Sequence, residues 1–274
     1  MTSTRRAGVL GHPIAHSLSP ALHRAAYREL GLDWQYEAYD VTEEGLPAFV
    51  ADLDDAWAGL SLTMPLKVAA IPLVDFIEPM AKLVGAINTV VVQPVAGHRQ
   101  LVGANTDVHG VVAALAEGGV SRTSRGVVLG GGATATSALA ALGRIGVTRP
   151  LVAVRNRARA GGLMRAATKM GVEPRFVSLE DAPALLADAD AVVSTIPADA
   201  GAGLAAALPA VNGGAVLLDA VYEPLVTPLG AAWREAGGVF VPGTRMLLHQ
   251  AAEQVRLMTG REVSVEALEH ALPA

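Results

Sequence analysis

The chain has 274 residues, 51% of them hydrophobic and 17% charged, so it is long enough for one large domain or two modest ones and too apolar to stay disordered. Its formal net charge is -5, from 21 Lys+Arg and 26 Asp+Glu, and this lack of a basic excess argues against a nucleic acid as partner. The absence of cysteine excludes disulfides, thiolate nucleophiles and cysteine-bound zinc.

The location of the protein is predicted from its apolar runs. No run reaches the roughly 18 residues that a membrane helix needs. The first residues, MTSTRRAGVLGHPIAHS, meet Pro13 before any long apolar stretch. We therefore expect no signal peptide, no membrane anchor and a cytoplasmic protein.

In the first half of the chain, short β-rich runs alternate with Ala/Leu-rich runs at helical spacing, which is typical of an α/β fold. The predicted strands, assigned to a sheet of their own, are 7–11, 34–41, 58–63 and 87–92. A helix follows the first strand, with Ser19 as its predicted N-cap and Pro20 at the first helical position. It is predicted to end at about Leu30, before Gly31.

The second half begins a new series of strands and therefore a second sheet. These strands are predicted at 125–132, 151–156, 174–179, 191–196, 215–222 and 238–243. The Ala-rich stretch 200–210 is predicted to be helical, since alanine is the best helix former. A last helix is predicted from Met246 to about Thr259, and its periodicity does not decide on which sheet it packs.

A glycine-rich turn joins the strand that begins the second series to a helical run at 136–146. The turn, Gly130-x-Gly132-x-x-Ala135, has the spacing and context of a dinucleotide-binding turn. Gly130 permits the tight turn, Gly132 leaves room for a pyrophosphate, and Ala135 lets the helix pack closely on its strand. Glycines at a strand end also form plain turns, but strand, turn, helix and next strand follow here in the required order.

The end of the next strand indicates which dinucleotide binds. Sites for NAD place an acidic residue there, whereas the 2′-phosphate of NADP favours a guanidinium. This chain has Arg155, Asn156, Arg157 and Arg159 and no acidic residue in LVAVRNRARAGG. Arginines at this position also occur as a solvated helix start, but three of them together favour NADP.

Four polar clusters lie next to the strands of the first sheet, at 16–20, 61–67, 85–89 and 103–107. Their hydroxyls, amides, lysine and aspartate suit a small polyhydroxylated acid. Taken singly, each has a structural explanation: Asn88 and Asn105 as turn residues and Lys67 as a solvated lysine. Asp107 alone is explained as the cap of a helix beginning near Val108.

Together and in this order, the clusters resemble those of the shikimate dehydrogenase family, over most of the chain. The family motif G-x-P-I-x-H-S-x-S-P-x-x-H lies at Gly11–His23, N-V-T-x-P-x-K at Ser61–Lys67, G-A-x-N-T at Gly85–Thr89 and N-T-D-x-x-G at Asn105–Gly110. Further matches are D-x-x-Y-x-P-x-x-T-P-L at Asp219–Leu229 and the C-terminal helix with Gly243, Met246, Gln250 and Thr259-Gly260. The chain departs from the family pattern at Ser61, Ala133, Ala158 and Met258, where Asn, Gly, Thr and Trp are usual.

The resemblance implies the reversible reduction of the 3-keto group of 3-dehydroshikimate to the hydroxyl of shikimate, with hydride from NADPH, in aromatic amino acid biosynthesis. It implies Lys67 and Asp107 as the catalytic residues, with Lys67 exchanging a proton with the reacting oxygen. The implied substrate-binding residues are Ser17, Ser19, Thr63, Asn88, Tyr222 and Gln250. The implied NADP-binding residues are Gly130, Gly131, Gly132, Ala133, Arg155, Asn156, Arg157, Thr195, Gly243 and Met246.

The predicted architecture is two α/β domains. Residues 1–107, completed by 244–274, are predicted to bind the substrate, and residues 108–243 form a Rossmann-type NADP-binding domain. We expect small-molecule partners only, in a monomer or homodimer. His12 and His16 have the spacing of a metal pair, but Pro13 and the loop context argue against one, so no metal is expected.

Three alternatives stay open at this point. One is an NAD-dependent quinate or quinate/shikimate dehydrogenase, which the arginine cluster disfavours. Another is a non-catalytic NADP-binding regulator, which would tolerate loss of Lys67 or Asp107. The third is a dehydrogenase for an amino-substituted shikimate analogue.

Overall fold

The computed structural model of the chain describes residues 4–95 and 97–272, excluding the side chain of Arg159. The chain divides into two compact units. The first comprises the residues up to Thr106 together with those from Leu248, and the second comprises Asp107–Leu247. Each unit contains a sheet flanked by helices, which confirms the predicted α/β class. Across the described ranges, no helix is long and apolar enough to cross a membrane.

The first unit is built on a six-stranded sheet. Its strands are β1 (Arg6–Gly11), β2 (Gln35–Asp40), β3 (Trp57–Leu62), β4 (Phe76–Ile77), β5 (Thr89–Val95) and β6 (His98–Ala104). In the order β2-β1-β3-β5-β6-β4, all strands are parallel except β5, which is antiparallel to both neighbours. The four strands predicted in this half are confirmed, with small shifts at their ends.

Two strands of this sheet, β4 and β6, are absent from the sequence prediction. Strand β4 has only two residues. Strand β6 begins with polar residues and contains one β-branched residue, Val102, so neither strand has the apolar, β-branched run by which strands are predicted. Strand β6 forms because it pairs antiparallel with β5 along its whole length. Gly97, with φ 89°, lies between the two strands, in a conformation that glycine adopts without strain.

Four helices belong to this part of the chain: α1 (Ser19–Glu29), α2 (Leu46–Ala51), α3 (Leu66–Ala69) and α4 (Pro79–Val84), with a 3₁₀ turn at Ile71–Leu73. The prediction of Ser19 as the N-cap of α1 is wrong, because Leu18 occupies that position and Ser19 is the first helical residue. The Ser19 N–H instead donates to Ser17 Oγ at 3.4 Å. The hydroxyl that accepts a hydrogen bond from the start of the helix is therefore that of Ser17, two residues before Ser19.

The core of the first unit gathers apolar side chains from the strands and the segments that cover them. Leu10 and Leu60, from neighbouring strands, are fully buried with Leu46 and Ile87, and Trp57 completes the cluster. Burial of large apolar side chains is the main favourable term in folding. This cluster therefore stabilises the sheet whose edge carries the polar segments.

The second unit has a six-stranded sheet in which every strand is parallel. Its strands are β7 (Gly126–Leu129), β8 (Leu151–Val154), β9 (Arg175–Ser178), β10 (Ala191–Ser194), β11 (Val216–Asp219) and β12 (Val239–Pro242). The order β12-β11-β10-β7-β8-β9 is the doubly wound order of dinucleotide-binding sheets, with its reversal point between β7 and β10. All six predicted strands are confirmed, and each is shorter than predicted.

The helices of this unit are α5 (Asp107–Glu117), α6 (Ala133–Arg144), α7 (Gly161–Met170), α8 (Ala182–Leu186), α9 (Ala198–Ala205) and α10 (Pro228–Glu235), with a 3₁₀ turn at Arg157–Ala160. Three predicted bounds are corrected. Helix α6 begins at Ala133 rather than at 136, α9 ends at Ala205 rather than 210, and Asp107 is the first residue of α5 rather than its cap. Every residue of α6 from Ala135 to Leu142 is buried, so the helix is enclosed on all sides close to the glycine turn.

Two helices end the chain, α11 (Gly243–Thr259) and α12 (Val265–Glu269). Helix α11 begins before the predicted Met246. Gln254 Nε2 donates to the Asn88 C=O at 3.0 Å, and a Cβ added to Gly59 of β3 would lie 2.8 Å from Met258 Cγ. These contacts decide what periodicity left open: the residues of α11 from Leu248 pack on the first sheet.

Candidate active site

The polar clusters of the first unit meet at one edge of its sheet. Because β1, β3 and β6 are parallel and β5 is antiparallel, the residues that follow the first three lie at the same edge as those that precede β5. Backbone hydrogen bonds fasten this edge: His12 N–H donates to the Met64 C=O at 3.0 Å, and Leu62 N–H donates to the Asn88 C=O at 2.7 Å. Segments far apart in sequence are thereby brought together.

Lys67 lies in the short helix α3, directly after β3 and the Thr63–Pro65 turn. Leu66 is fully buried and anchors this helix in the core, whereas Lys67 is half-buried. The Lys67 C=O accepts the N–H of Ile87 at 2.8 Å, and Ile87 precedes Asn88 in the chain. Two of the predicted site residues, Lys67 and Asn88, are therefore held at the same edge of the sheet.

Asn88 is buried and forms hydrogen bonds through both ends of its amide. Its Oδ1 accepts the backbone N–H of Thr106 at 2.8 Å and the hydroxyl of Thr89 at 2.9 Å. Its Nδ2 donates to Thr106 Oγ1 at 2.9 Å and to Gln250 Oε1 at 3.3 Å. Gln250 comes from α11, so two predicted substrate residues from distant parts of the sequence contact each other.

The two predicted serines lie between β1 and α1. Ser17 is half-buried, Ser19 is buried, and Ser17 Oγ accepts the Ser19 N–H as described above. Thr63 follows β3, and its N–H donates to the Leu10 C=O at 2.9 Å. A side chain on Gly11 would overlap the Thr63 methyl group, so glycine at the end of β1 lets the serine and threonine segments lie side by side.

Two predicted site residues lie in the second unit. Asp107 is buried and begins α5. Tyr222 follows β11, and burial together with the charge of Glu223 raises the pKa of its hydroxyl, which therefore stays protonated and available as a donor at neutral pH. The segment that carries Tyr222 is closed by a hydrogen bond from Thr227 Oγ1 to Asp219 Oδ2 at 2.7 Å.

The glycine turn at the end of β7 has the geometry that a dinucleotide requires. Gly130 adopts φ 118°, and a side chain there would overlap Thr195 Oγ1, which donates to the Leu129 C=O at 2.9 Å. A Cβ on Gly132, by contrast, would meet no protein atom within 4 Å. The N-terminus of α6 follows, and no side chain caps it. The turn thus fits a pyrophosphate, since it leaves open space at Gly132 beside the positive end of a helix dipole.

The predicted 2′-phosphate site lies in the segment that follows β8. Asn156 Oδ1 accepts the Ala158 N–H at 2.9 Å and so caps the 3₁₀ turn. The Arg157 guanidinium lies 5.4 Å from the centre of the ring of Phe176, a residue of the neighbouring strand β9, which is a cation–π distance. Arg155 is exposed. The side chain of Arg159 lies outside the described part of the structure.

The last two predicted cofactor residues, Gly243 and Met246, lie in the first turns of α11. A Cβ on Gly243 would lie 2.6 Å from the Asp219 C=O, so glycine is required for the start of this helix to approach the end of β11. Met246 is buried. The predicted cofactor residues of the second unit therefore follow β7, β8, β10 and β12, at the carboxyl edge of the sheet where doubly wound folds bind ligands.

Among the described residues, the histidines do not belong to a group that could hold a metal ion. His12 Nδ1 lies 2.6 Å from Asp40 Oδ1, both exposed at the ends of adjacent strands, and His16 is exposed. In the ranges 4–95 and 97–272, no three or more His, Asp or Glu residues are grouped so that they could hold a metal ion. That the reaction needs no metal stays a prediction.

A buried polar network behind the site was not predicted from the sequence. Gln254, Ser61, Tyr36 and His23 form a buried chain of hydrogen bonds beneath Asn88. Polar residues on the apolar faces of α1, β3 and α11 were the available signal, since buried polar groups occur where they have partners. Sequence periodicity does not identify those partners, because they come from separate elements.

Burial lowers the pKa of His23 from 6.5 to about 4, partly offset by its hydrogen bond with Gln254. The unfolded chain therefore binds a proton below pH 6.5 that the folded protein does not bind until about pH 4, so stability is lost as the pH falls. Between pH 7 and pH 4, we expect the free energy of unfolding of the wild type to fall by roughly 3 kcal/mol more than that of the His23→Gln variant. Urea unfolding at each pH measures this difference.

The matched control for that experiment is His98→Gln, because His98 is exposed. This control variant should keep the pH dependence of the wild-type protein. An equal slope for His23→Gln and the wild type would show that His23 is not the buried neutral group.

The strand order of the second unit, its glycine turn and the arginines after β8 define the class of the protein, a two-unit α/β protein with a Rossmann-type dinucleotide-binding unit. Residues 9–90 match the family model of the shikimate dehydrogenase substrate binding domain, and residues 243–272 match that of the shikimate 5'-dehydrogenase C-terminal domain. The shikimate dehydrogenase (NADP(+)) of Citrifermentans bemidjiense is 40% identical over 286 aligned positions, which cover 99% of this chain and 95% of that protein. The chain belongs to the shikimate dehydrogenase family, whose members are oxidoreductases.

Solved structures support the same assignment. Mycobacterium tuberculosis shikimate dehydrogenase is 42% identical and superposes with a TM-score of 0.88, covering 97% of this chain and 98% of that one. The Thermus thermophilus shikimate 5-dehydrogenase in complex with NADP(H) and shikimate is 34% identical, with a TM-score of 0.82 and 98% of each chain covered. The family resemblance and the two-domain α/β fold predicted from the sequence are confirmed.

Proposed function

We propose that the chain is an NADP-dependent shikimate dehydrogenase that reversibly reduces 3-dehydroshikimate to shikimate, a step of aromatic amino acid biosynthesis. The observation that carries the proposal is the meeting of Lys67, Asn88 and Gln250 at one sheet edge, in a chain whose second sheet has the dinucleotide-binding order. Two buried amides and a half-buried lysine supply partners for ring hydroxyls and a proton donor for a carbonyl oxygen.

Substrate binding is assigned to the polar edge of the first sheet. Ser17 and Ser19 would donate to the substrate carboxylate, since hydroxyl donors to a charged acceptor form strong hydrogen bonds. Thr63, Asn88 and Gln250 would hold the ring hydroxyls and so fix the orientation of the reacting carbon. Tyr222, a protonated hydroxyl in this protein, is the proposed further ligand on the carboxylate side.

Proton transfer is assigned to Lys67 and Asp107. During reduction, the Lys67 ammonium would donate a proton to the oxygen on which negative charge develops, and during oxidation the neutral amine would take it back. Asp107, a buried carboxyl at the start of α5, is the second proposed catalytic residue.

NADP binding is assigned to the second unit, and the bound cofactor supplies the hydride. The backbone N–H groups from Gly131 to Ala133 would bind the pyrophosphate at the start of α6, where Gly132 leaves it room, while the Gly130 N–H donates to the Ala153 C=O and holds the turn on the sheet. Arg155 and Arg157, with Asn156 shaping the turn between them, would bind the 2′-phosphate. The remaining proposed contacts are Thr195, Gly243 and Met246.

These roles assign residues 1–107 with 244–274 to substrate binding and residues 108–243 to NADP binding. The proposed partners are small molecules, namely shikimate, 3-dehydroshikimate and the cofactor. A cytoplasmic location and a monomeric or homodimeric state stay predictions.

The test of the proposed function is the absorbance of reduced nicotinamide when the purified protein receives shikimate or quinate with NADP⁺ or NAD⁺, in all four pairings. Rapid reduction is expected only with shikimate and NADP⁺. Equal rates with quinate or with NAD⁺ would favour the dual-specificity dehydrogenase. No reduction in any pairing would favour the non-catalytic NADP-binding protein.

The glycine turn offers a matched pair of substitutions. Gly132→Ala places a methyl group in open space, so we expect unchanged thermal stability and an NADP⁺ dissociation constant raised on the order of tenfold, because the methyl group would stand where the pyrophosphate approaches. Gly130→Ala should instead lower the melting temperature, since a left-handed conformation costs an L-residue about 1–2 kcal/mol and the Cβ overlaps Thr195. Calorimetric titration and thermal unfolding separate the two effects. Unchanged NADP⁺ affinity in Gly132→Ala would contradict the pyrophosphate assignment.

A further inference from the structure

Gln254 of α11 is almost fully buried and connects four side chains or backbone groups of the first unit. Its Nε2 donates to the Asn88 C=O and to Thr89 Oγ1, both at 3.0 Å. Its Oε1 accepts from Ser61 Oγ at 2.8 Å and faces His23 Nε2 at 3.1 Å. The amide therefore contacts α1, β3 and the start of β5 at once.

The direction of these hydrogen bonds follows from one group that can only accept. Because the Asn88 C=O has no proton, the Gln254 nitrogen must face it, and the Gln254 oxygen must face Ser61 and His23. His23 then donates through Nε2–H. Because burial lowers the pKa of His23 to about 4, the ring is neutral at pH 7 and carries its proton on Nε2, and among the described residues its Nδ1 has no hydrogen-bond partner.

The orientation of the Asn88 side-chain amide follows from its partners in the same way. The Thr106 N–H can only donate, so it must face Asn88 Oδ1. The Thr89 hydroxyl donates to the same oxygen at 2.9 Å while it accepts from Gln254 Nε2. Asn88 Oδ1 thus accepts from two groups, one of which Gln254 holds, while Nδ2 donates to Thr106 and Gln250 on the other side.

We propose that Gln254 is a positioning residue for substrate binding, one that sets the orientation of the Asn88 amide through the Asn88 C=O and the Thr89 hydroxyl. The inference rests on the proposed function, in which Asn88 binds a ring hydroxyl of shikimate. Without Gln254, the Thr89 hydroxyl is free to rotate away from Asn88 Oδ1. Asn88 would then spend less time in the orientation that binds the substrate.

The packing behind Gln254 supports a positioning role. The His23 ring stacks on Tyr36, with centroids 4.0 Å apart and planes at 15°, and the Tyr36 hydroxyl donates to Ser61 Oγ at 2.6 Å. Ser61 and His23, the two groups that face Gln254 Oε1, are themselves held in place by Tyr36. The Gln254 amide therefore sits in a rigid, buried surrounding that permits one orientation.

The test uses Gln254→Met, which keeps the size of the side chain and removes its hydrogen bonds. We expect the KM for shikimate to rise about tenfold, the effect of losing one or two neutral hydrogen bonds from a positioning chain. The kcat should change less, and the dissociation constant of NADP⁺ should not change. Val255→Ala, on the same helix and equally buried, is the control for loss of packing and should lower the melting temperature without changing the KM.

A second variant, Gln254→Glu, keeps the shape and gives a readout that packing alone does not predict. Its carboxylate would face the Asn88 C=O, acceptor against acceptor, whereas its protonated form donates to that oxygen as the amide does. The groups that face this position and titrate are His23 on α1 and, behind it, Tyr36 on β2. We expect the ratio of its KM to the wild-type KM to rise as the pH rises.

The outcomes separate the two proposals. Suppose that the wild type oxidises shikimate but Gln254→Met keeps the wild-type KM. The positioning role is then wrong and the proposed function stands, and the same holds if the ratio of the Gln254→Glu KM to the wild-type KM is equal at every pH. If the wild type does not oxidise shikimate, the proposed function fails and the positioning role fails with it. If Gln254→Met does not fold, the pH dependence of the KM ratio of Gln254→Glu tests the positioning role instead.

Discussion

Replacing Lys67 with alanine is expected to lower kcat for shikimate oxidation about 10²–10⁴-fold, the usual contribution of a positioned general acid or base. The KM for shikimate should change much less, because the ammonium acts on charge that develops in the transition state. Steady-state kinetics with saturating NADP⁺ measure both constants. Asp107→Ala should show the same pattern, with turnover lost and affinity largely retained.

The matched control is Lys82→Ala, a lysine in the last turn of α4 that is exposed. This variant should keep wild-type kinetics. If Lys67→Ala turned over shikimate at the wild-type rate, Lys67 would not be the proton donor. Full activity in Asp107→Ala as well would leave the fold without an acid–base residue among those proposed.

Arg157→Ala is expected to weaken NADP⁺ binding by about 10- to 100-fold, as a lost hydrogen bond to a charged group contributes about 1.5–3 kcal/mol. Binding of NAD⁺, which lacks the 2′-phosphate, should change little. The stacking of Arg157 on Phe176 orders the guanidinium before the cofactor arrives, so less side-chain entropy is lost on binding. Titration calorimetry with both dinucleotides gives the selectivity ratio.

Two comparisons make this result specific. Arg155→Ala and Arg159→Ala, measured in the same way, show which arginine contributes most to the selectivity. Arg149→Ala removes an exposed arginine paired with Glu173 at 3.2 Å and should change neither affinity. Equal losses of NADP⁺ and NAD⁺ affinity in all three arginine variants would mean that the cluster does not recognise the 2′-phosphate.

Much of the second unit could be predicted because its signals are local. All of its strands except the edge strand β9 are short, mostly apolar runs, and the Gly130 turn connects a strand and a helix that are adjacent in the chain. In a parallel sheet buried on both faces, such runs identify the strands whatever their partners are. The ends of the predicted helices were less accurate, since α6 begins at Ala133 and α9 ends at Ala205.

The first unit was less predictable because part of it depends on pairing. Strand β6 has few β-forming residues and exists because β5 lies beside it. The start of α1 was misassigned since a serine before a proline suits two positions, and only the structure shows that Ser17, not Ser19, accepts the hydrogen bond. Local preference was not enough to decide either feature.

The α/β class, the two series of strands, the dinucleotide turn and the polar clusters that mark the family could all be predicted from the amino-acid sequence. Each of these features depends on residues that lie close together in the chain. Only the tertiary structure decided that α11 packs on the first sheet, that Lys67 and Asn88 share one edge, and that Gln254 holds Asn88 from behind. The physical reason is that buried hydrogen bonds join elements from opposite ends of the chain. Their partners are fixed by the packing of the whole unit and leave no periodic trace in the sequence.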